Sequence, residues 1–222
     1  MPPKKPIKDT QTECRFSGIV NAEATFRYLA YLPPGYEGDE KQFPLVLFLH
    51  GSGERGDDLA KVRLHGPPFE VDKGRSFPFI LVSPQCPEFR YWDLNGLVGL
   101  IDHLESKYRV DKNRIYVSGL SMGGFATFGL AALIPDRIAA ALPICGAEVA
   151  TLAQRLVGTP IWAIHGTKDT AVPIKRDREI ISAIKAAGGK AKLTAIKNGG
   201  HGVWVDAYAG SEVYDWLLSH SL

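Results

Sequence analysis

The fold is decided by the stretch Ile115-Tyr116-Val117-Ser118-Gly119-Leu120-Ser121-Met122-Gly123-Gly124. An apolar run leads into this turn and a segment with helical apolar spacing follows it, so the turn joins a buried strand to a helix. In a Gly-x-Ser-x-Gly turn the chain passes too close to itself for a Cβ on either side of the serine. The serine takes a strained conformation that exposes its hydroxyl. Ser121 is therefore the candidate nucleophile.

Short runs of β-forming residues occur on both sides of this turn. They predict strands at 26–32, 45–50, 79–83, 114–118, 142–145, 161–165 and 192–196. Most of these runs are continuously apolar, which indicates a sheet covered by helices on both faces. Apolar residues at helical spacing predict the intervening helices at 97–108, 122–133, 175–187 and 207–218. This alternation predicts an α/β fold with a mostly parallel central sheet flanked by helices.

Length and composition are those of one domain. The 222 residues, 45% of them hydrophobic, can bury a full core, and no internal linker or repeat interrupts them. We therefore predict a single domain over 1–222, with 1–15 as a loosely ordered N-terminal segment. Only 15 residues, 146–160, separate the predicted strands on either side of them, which leaves no room for a lid domain. The long charged loop at 54–77 is the remaining segment that could cover a site.

The charge balance excludes some classes of partner. Lys and Arg number 26 against 24 Asp and Glu, so the chain lacks the concentrated positive charge that holds nucleic acid. No apolar stretch reaches transmembrane length, and the N-terminus lacks the apolar run of a secretory signal. As written, the sequence is expected to be cytoplasmic and not membrane-bound. A secreted origin stays open if a signal peptide has been removed, and the oligomeric state is open as well.

The cysteines do not predict a metal or redox site. Cys14, Cys86 and Cys145 are widely separated and lack the paired spacing of zinc ligands or of a redox motif. We expect ordinary buried thiols, and Cys145, at a predicted strand end, should pack as a small hydrophobe rather than act as a nucleophile. No zinc or redox site is therefore expected, and chemistry on an activated serine would need no metal and no organic cofactor.

Two backbone N–H groups are expected to stabilise an oxyanion. The helix that begins at Met122 directs its N-terminal amides toward the candidate nucleophile, so the N–H of Met122 is one donor. The second donor is Ser52, which follows His-Gly in the loop His50-Gly51-Ser52-Gly53-Glu54-Arg55-Gly56. A phosphate-binding loop is the competing interpretation, but the segment lacks the Gly-Lys-Ser/Thr and Gly-x-Gly-x-x-Gly patterns. His50 itself is expected to fix the turn.

The candidate acid and base follow two later strands. Asp169 comes after the predicted strand at 161–165, at the sheet edge where active groups of parallel sheets collect. Asp177 and Asp206 are weaker candidates because each falls within a helical pattern. His201 lies between glycines after the last predicted strand, in the order Ser, Asp, His that this architecture uses. A turn-forming Asp and a loop His without a role are the plain alternatives.

Five segments occur in an order that characterises a known family. They are His50 to Gly56, Ser83-Pro84-Gln85-Cys86-Pro87, Tyr91-Trp92-Asp93, Gly119 to Gly124 and Gly200-His201. Over roughly 28–222 the chain resembles small α/β-hydrolase esterases of the phospholipase/carboxylesterase group, near feruloyl-esterase and "predicted peptidase" sequences. Such sequences often have Ala at the position of Ser52 and a polar residue at that of Gly202. The resemblance implies the α/β-hydrolase fold and ester hydrolysis by Ser121, Asp169 and His201.

Side chains near these motifs are candidates for the substrate pocket. Trp92 and Trp204 lie in loops expected at the active edge of the sheet, and core packing is an equal alternative for each. Arg55 either supports the oxyanion loop, in an ion pair with Glu54, or meets a substrate carboxylate. We favour the supporting role.

These residues predict a serine carboxylesterase for small to medium acyl or aryl esters, with a small-molecule ester as its partner. His201 would take the proton of Ser121 while Asp169 orients the imidazole. A serine peptidase or amidase and an acyl-thioesterase would use the same three residues and remain alternatives. A non-catalytic binding module with a hydrolase shell is a further alternative, which the loss of one of the three residues would have indicated.

Overall fold

A computed structural model describes residues 11–19, 23–38 and 40–222, and within these ranges eight strands form one sheet. The strands are β1 Gln11–Ile19, β2 Glu23–Tyr31, β3 Phe43–Leu49, β4 Ile80–Pro84, β5 Val110–Leu120, β6 Ala140–Ile144, β7 Ile161–Gly166 and β8 Ala191–Ile196. Their order is β1-β2-β4-β3-β5-β6-β7-β8. The pairs β1/β2 and β2/β4 are antiparallel, and the pairs from β4 to β8 are parallel. The mostly parallel α/β sheet predicted from the apolar runs is confirmed.

Helices cover both faces of this sheet. They are α1 Gly66–Asp72, α2 Leu94–Lys107, α3 Met122–Leu133, α4 Ile174–Ala186, α5 Trp204–Ala209 and α6 Glu212–Leu218. Successive side chains of a strand point to opposite faces. Leu45 and Leu47 of β3 accordingly belong to the core under α2, α3 and α4, whereas Val46 and Phe48 belong to the core that includes residues of α1, α5 and α6. All of β3 is buried, because both faces are covered.

Strand β1 is absent from the elements predicted from the sequence. It pairs with β2 in a register that runs from Gln11 opposite Tyr31 to Gly18 opposite Ala24. The expectation of loose order over 1–15 is therefore wrong for 11–15, and 1–10 lie outside the described residues. Several side chains of β1 are exposed, so the apolar pattern is weak. The strand is held by its hydrogen bonds to β2 and by the buried ring of Phe16.

The C-terminal helix expected at 207–218 is two helices, α5 and α6. Gly210 between them has an extended backbone, with φ −72° and ψ 168°, and glycine costs about 1 kcal/mol in a helix interior. The expected loop at 54–77 contains α1 and a 3-10 turn, Lys61–Leu64. Among the described residues no helix is long and apolar enough to cross a membrane.

Candidate active site

The turn between β5 and α3 has the strained geometry expected from its sequence. Ser121 has φ 52° and ψ −118°, a left-handed backbone that few residues other than glycine adopt. A Cβ on Gly123 would lie 1.8 Å from the carbonyl oxygen of Leu49, and one on Gly119 would lie 2.5 Å from the carbonyl oxygen of Gly123. The absence of these side chains lets the first turn of α3 contact the end of β3 directly.

The structure brings Ser121, His201 and Asp169 into one hydrogen-bonded chain. Nε2 of His201 lies 2.8 Å from Oγ of Ser121, and Nδ1 of His201 lies 2.6 Å from Oδ2 of Asp169. Because an ionised carboxylate only accepts, the His201 proton is assigned to Nδ1, and Nε2 accepts from the serine hydroxyl. The three residues come from different loops at the carboxyl ends of parallel strands.

The carboxylate of Asp169 is hydrogen-bonded at both oxygens. Its Oδ1 accepts from the backbone N–H of Ala171 at 2.8 Å and from that of Val172 at 2.9 Å. Burial opposes ionisation, but the bonds from His201 and from these two N–H groups outweigh it and lower the pKa of Asp169. Asp169 is therefore an ionised acceptor at neutral pH.

Ser52 and Met122 both lie beside Ser121 along one cleft. Met122 is the first residue of α3, and Ser52 begins a 3-10 turn, Ser52–Glu54, directly after β3 and His50-Gly51. N–H groups in the first turn of a helix have no partner within the helix, so they are available to a ligand. The two segments that were expected to supply oxyanion donors are thus neighbours in space.

His50 holds the Gly51–Ser52 peptide in place, as expected from its position before the loop. The backbone N–H of Cys86 donates to Nε2 of His50 at 3.0 Å, so the ring proton is on Nδ1 and donates to the carbonyl of Gly51 at 2.6 Å. In a trans peptide the following N–H points opposite to that carbonyl, which sets the direction of the Ser52 N–H. Burial lowers the pKa of His50 to about 4 and keeps the ring neutral.

Arg55 supports the oxyanion loop through backbone carbonyls rather than through Glu54. Its Nε donates to the carbonyl of Ser52 at 2.9 Å and its Nη1 to that of Arg90 at 3.3 Å. Glu54 instead turns inward, where its carboxylate lies 3.8 Å from Nδ1 of His50 and 3.8 Å from Nε2 of His65. The ion pair between Arg55 and Glu54 is therefore not how this loop is held.

A cleft of about 640 Å³ opens beside Ser121. It is lined by Ser52, Arg55, Tyr91, Trp92, Leu94, Ser121, Met122, Phe125, Ala126, Gly129 and Glu148. Trp92 lines the cleft and also packs into the core, where its Nε1 donates to the carbonyl of His50 at 3.2 Å. Tyr91 stands 82% exposed beside it.

The sequence missed several of these lining residues. Phe125, Ala126 and Gly129 follow Ser121 and Met122 at helical spacing, and that signal could have identified them. Trp204 lies elsewhere: its ring is perpendicular to that of His201, with 5.2 Å between centroids. Trp204 thus packs against the candidate base.

One group of described residues, Cys145, His165 and Asp169, places possible metal-ligand atoms within 4.8 Å of one another. These atoms already have other partners. Asp169 accepts from His201, and His165 is hydrogen-bonded through both ring nitrogens. The cluster therefore does not fit a metal centre.

Known proteins that resemble this chain include two esterases. A bifunctional acetylxylan esterase/xylanase of Neocallimastix patriciarum is 33% identical over 135 residues, which are 57% of this chain and 19% of that protein. Feruloyl esterase B of Neurospora crassa is 29% identical over 132 residues, or 52% of this chain and 43% of that protein. The chain spans less than half the length of each of these two relatives.

Among solved structures, a thermostable esterase superposes with a TM-score of 0.85 at 29% identity. The match covers 97% of this chain and 64% of that one. Residues 93–215, more than half of the chain, match the Dienelactone hydrolase family. That segment runs from the start of α2 into α6 and includes Ser121, Asp169 and His201. The chain has the α/β-hydrolase fold and belongs to the dienelactone hydrolase family.

Proposed function

We propose that this protein is a serine carboxylesterase that hydrolyses small to medium acyl or aryl esters. The observation that carries the proposal is the hydrogen-bonded chain from Ser121 through His201 to Asp169, which adjoins a cleft of about 640 Å³. Membership of a hydrolase family, with acetylxylan and feruloyl esterases among the relatives, supports the same reaction.

In the proposed reaction Oγ of Ser121 attacks the ester carbonyl while its proton passes to Nε2 of His201. Asp169 accepts from Nδ1–H and stabilises the imidazolium. The N–H groups of Ser52 and Met122 donate to the oxyanion. The alcohol leaves with the proton from His201, and an acyl-enzyme remains. Water, activated by His201, then releases the acid and restores the serine.

The cleft suits an apolar acyl or aryl group. One wall runs along α3 from Ser121 to Gly129, two helical turns or about 12 Å, and its side chains include Met122, Phe125 and the small Ala126. Trp92 and Leu94 contribute apolar surface to the same cleft. Such a wall favours burial of a medium acyl chain or a substituted ring next to the nucleophile.

The test is turnover of p-nitrophenyl esters from acetate to palmitate by wild type and by Ser121→Ala. Loss of the nucleophile should reduce turnover by about 10⁶-fold, and a fluorophosphonate should label Ser121 in wild type only. Ser182→Ala, which removes an exposed hydroxyl on α4, is the matched control and should retain activity.

Three other outcomes would contradict the proposal and indicate a different function. Cleavage of peptide anilides without ester hydrolysis would indicate an amidase or peptidase, and cleavage of thioesters alone would indicate a thioesterase. Inactivity on all three classes, with Ser121 unlabelled, would indicate a binding module.

A further inference from the structure

A second histidine–aspartate pair adjoins the candidate acid. His165 lies in β7 and Asp177 in the first turn of α4, and Nδ1 of His165 lies 2.7 Å from Oδ2 of Asp177. Both side chains have no solvent exposure. The sequence placed His165 at a strand end and Asp177 in a helix, and nothing in their spacing predicted that they would meet.

The other nitrogen of His165 reaches Asp169. Its Nε2 lies 2.8 Å from the carbonyl oxygen of Val172 and 3.1 Å from Oδ2 of Asp169. Both oxygens are acceptors at neutral pH, so Nε2 carries a proton whether the ring is neutral or charged. The same Oδ2 accepts from Nδ1 of His201 at 2.6 Å. Oδ2 of Asp169 thus accepts from His201 and also lies within ion-pair distance of the His165 ring, whose own Nε2–H donates to Val172.

The charge of the His165 ring depends on the groups that face it. Burial alone would lower the pKa of His165, but the hydrogen bond and charge of Asp177, together with Val172 and Asp169, raise it. The third titratable group that faces the ring, Cys145 after β6, is a neutral thiol because burial raises its pKa to about 12. These contacts favour the charged form of the His165 ring next to Asp169.

We propose that His165 is a positioning residue for the reaction proposed above, on which this inference rests. Its Nε2–H fixes the carbonyl of Val172, whose own N–H donates to Asp169. Its charged form, which Asp177 favours, lies 3.1 Å from Oδ2 of Asp169 and weakens the hold of that carboxylate on the His201 proton. The physical reason is competition at one oxygen. A carboxylate oxygen that lies beside one cation is a weaker acceptor for a second, and like charges within about 6 Å repel each other.

Two single substitutions remove the charge of the His165 ring but keep an N–H group near the position of its Nε2. Asp177→Asn leaves His165 neutral while the Asn amide keeps Nδ1 as the acceptor and Nε2–H as the donor. His165→Gln places an uncharged N–H near the position of Nε2. Both should move the acid limb of the kcat/KM profile to higher pH by about one unit and retain most of the plateau kcat.

A double substitution also removes the hydrogen bond that His165 donates to the carbonyl of Val172. His165→Leu combined with Asp177→Asn avoids a buried unpaired carboxylate, so the fold should survive. This variant should lose about tenfold to a hundredfold in kcat with little change in KM, because Asp169 no longer holds His201 in the correct position. Asp215→Asn, which removes the charge of an exposed aspartate of α6, is the matched charge control and should leave the pH profile and kcat unchanged.

The readouts are p-nitrophenyl acetate turnover across pH and histidine NMR titration of His201, which needs no turnover. An unchanged acid limb in Asp177→Asn and His165→Gln, with the double variant losing only thermal stability, would overturn the proposal and leave a structural role. If wild type hydrolyses no ester but the His201 titration moves as expected, the proposed function fails and the positioning role stands.

Discussion

Gly123→Ala tests whether the direct contact between β3 and α3 sets the geometry of the proposed oxyanion site. A Cβ at position 123 would lie 1.8 Å from the carbonyl oxygen of Leu49 and 2.7 Å from that of His50. Both are backbone atoms, so no side chain can turn away to make room. An ordinary carbon–oxygen contact needs at least about 3.3 Å, so the two elements must separate by about 1.5 Å.

The expected loss of turnover follows from the proposed oxyanion donors at the ends of β3 and α3. Ser52 follows β3 and Met122 begins α3, and oxyanion donors act only within about 2.7–3.1 Å of the developing charge. A displacement above 1 Å removes at least one donor, which costs about a hundredfold to a thousandfold in kcat. Overpacking should also cost about 1–3 kcal/mol of unfolding free energy, which leaves a folded protein to assay.

The assay is kcat and KM on p-nitrophenyl acetate, with circular dichroism and thermal unfolding to show that the variant is folded. We expect kcat to fall at least about a hundredfold with a smaller change in KM. Gly158→Ala is the matched control, because a Cβ there meets no atom within 4 Å. A folded Gly123→Ala with wild-type kcat would refute the argument that this contact sets the oxyanion geometry.

Three further predictions address the loop, the cleft and acid stability. His50→Ala should lower kcat about a hundredfold because the Ser52 N–H loses its orientation, and His50→Asn should recover part of that loss. Steady-state kinetics is the measurement, and a much smaller loss in His50→Ala would contradict this role of His50. Gly129→Ala, whose Cβ would lie 2.9 Å from Cδ1 of Leu94, should reduce kcat/KM for long esters more than for acetate, and an unchanged ratio would place the acyl chain elsewhere. Bonds from Arg137 and Lys112 outweigh burial and lower the pKa of Glu105 below its usual 4.5, so their stabilisation is present above that pH and is lost as pH falls through the folded pKa. Urea unfolding should therefore show Glu105→Gln less stable than wild type at pH 7, with the difference shrinking in acid.

The elements that could be predicted from the sequence are those with a strong local signal. The strand that leads to Ser121, the helix that begins at Met122 and the continuously apolar strands of the core all match the structure within a few residues. Their patterns are local because a buried strand needs apolar residues on both faces and the turn needs glycines at fixed positions. The exposed strand β1 has only a weak apolar pattern, so its pairing partner decides its structure.

The candidate site divides in the same way. Ser121, Asp169 and His201 could be selected from the sequence because each follows a predicted strand in a recognisable order. Only the tertiary structure decided which side chains meet them: Trp204 lies against the base, and the pair of His165 with Asp177 lies against the acid. The physical reason is that a strand or helix is encoded by its neighbours along the chain. A hydrogen bond between a strand and a helix depends on how the whole sheet and its helices pack.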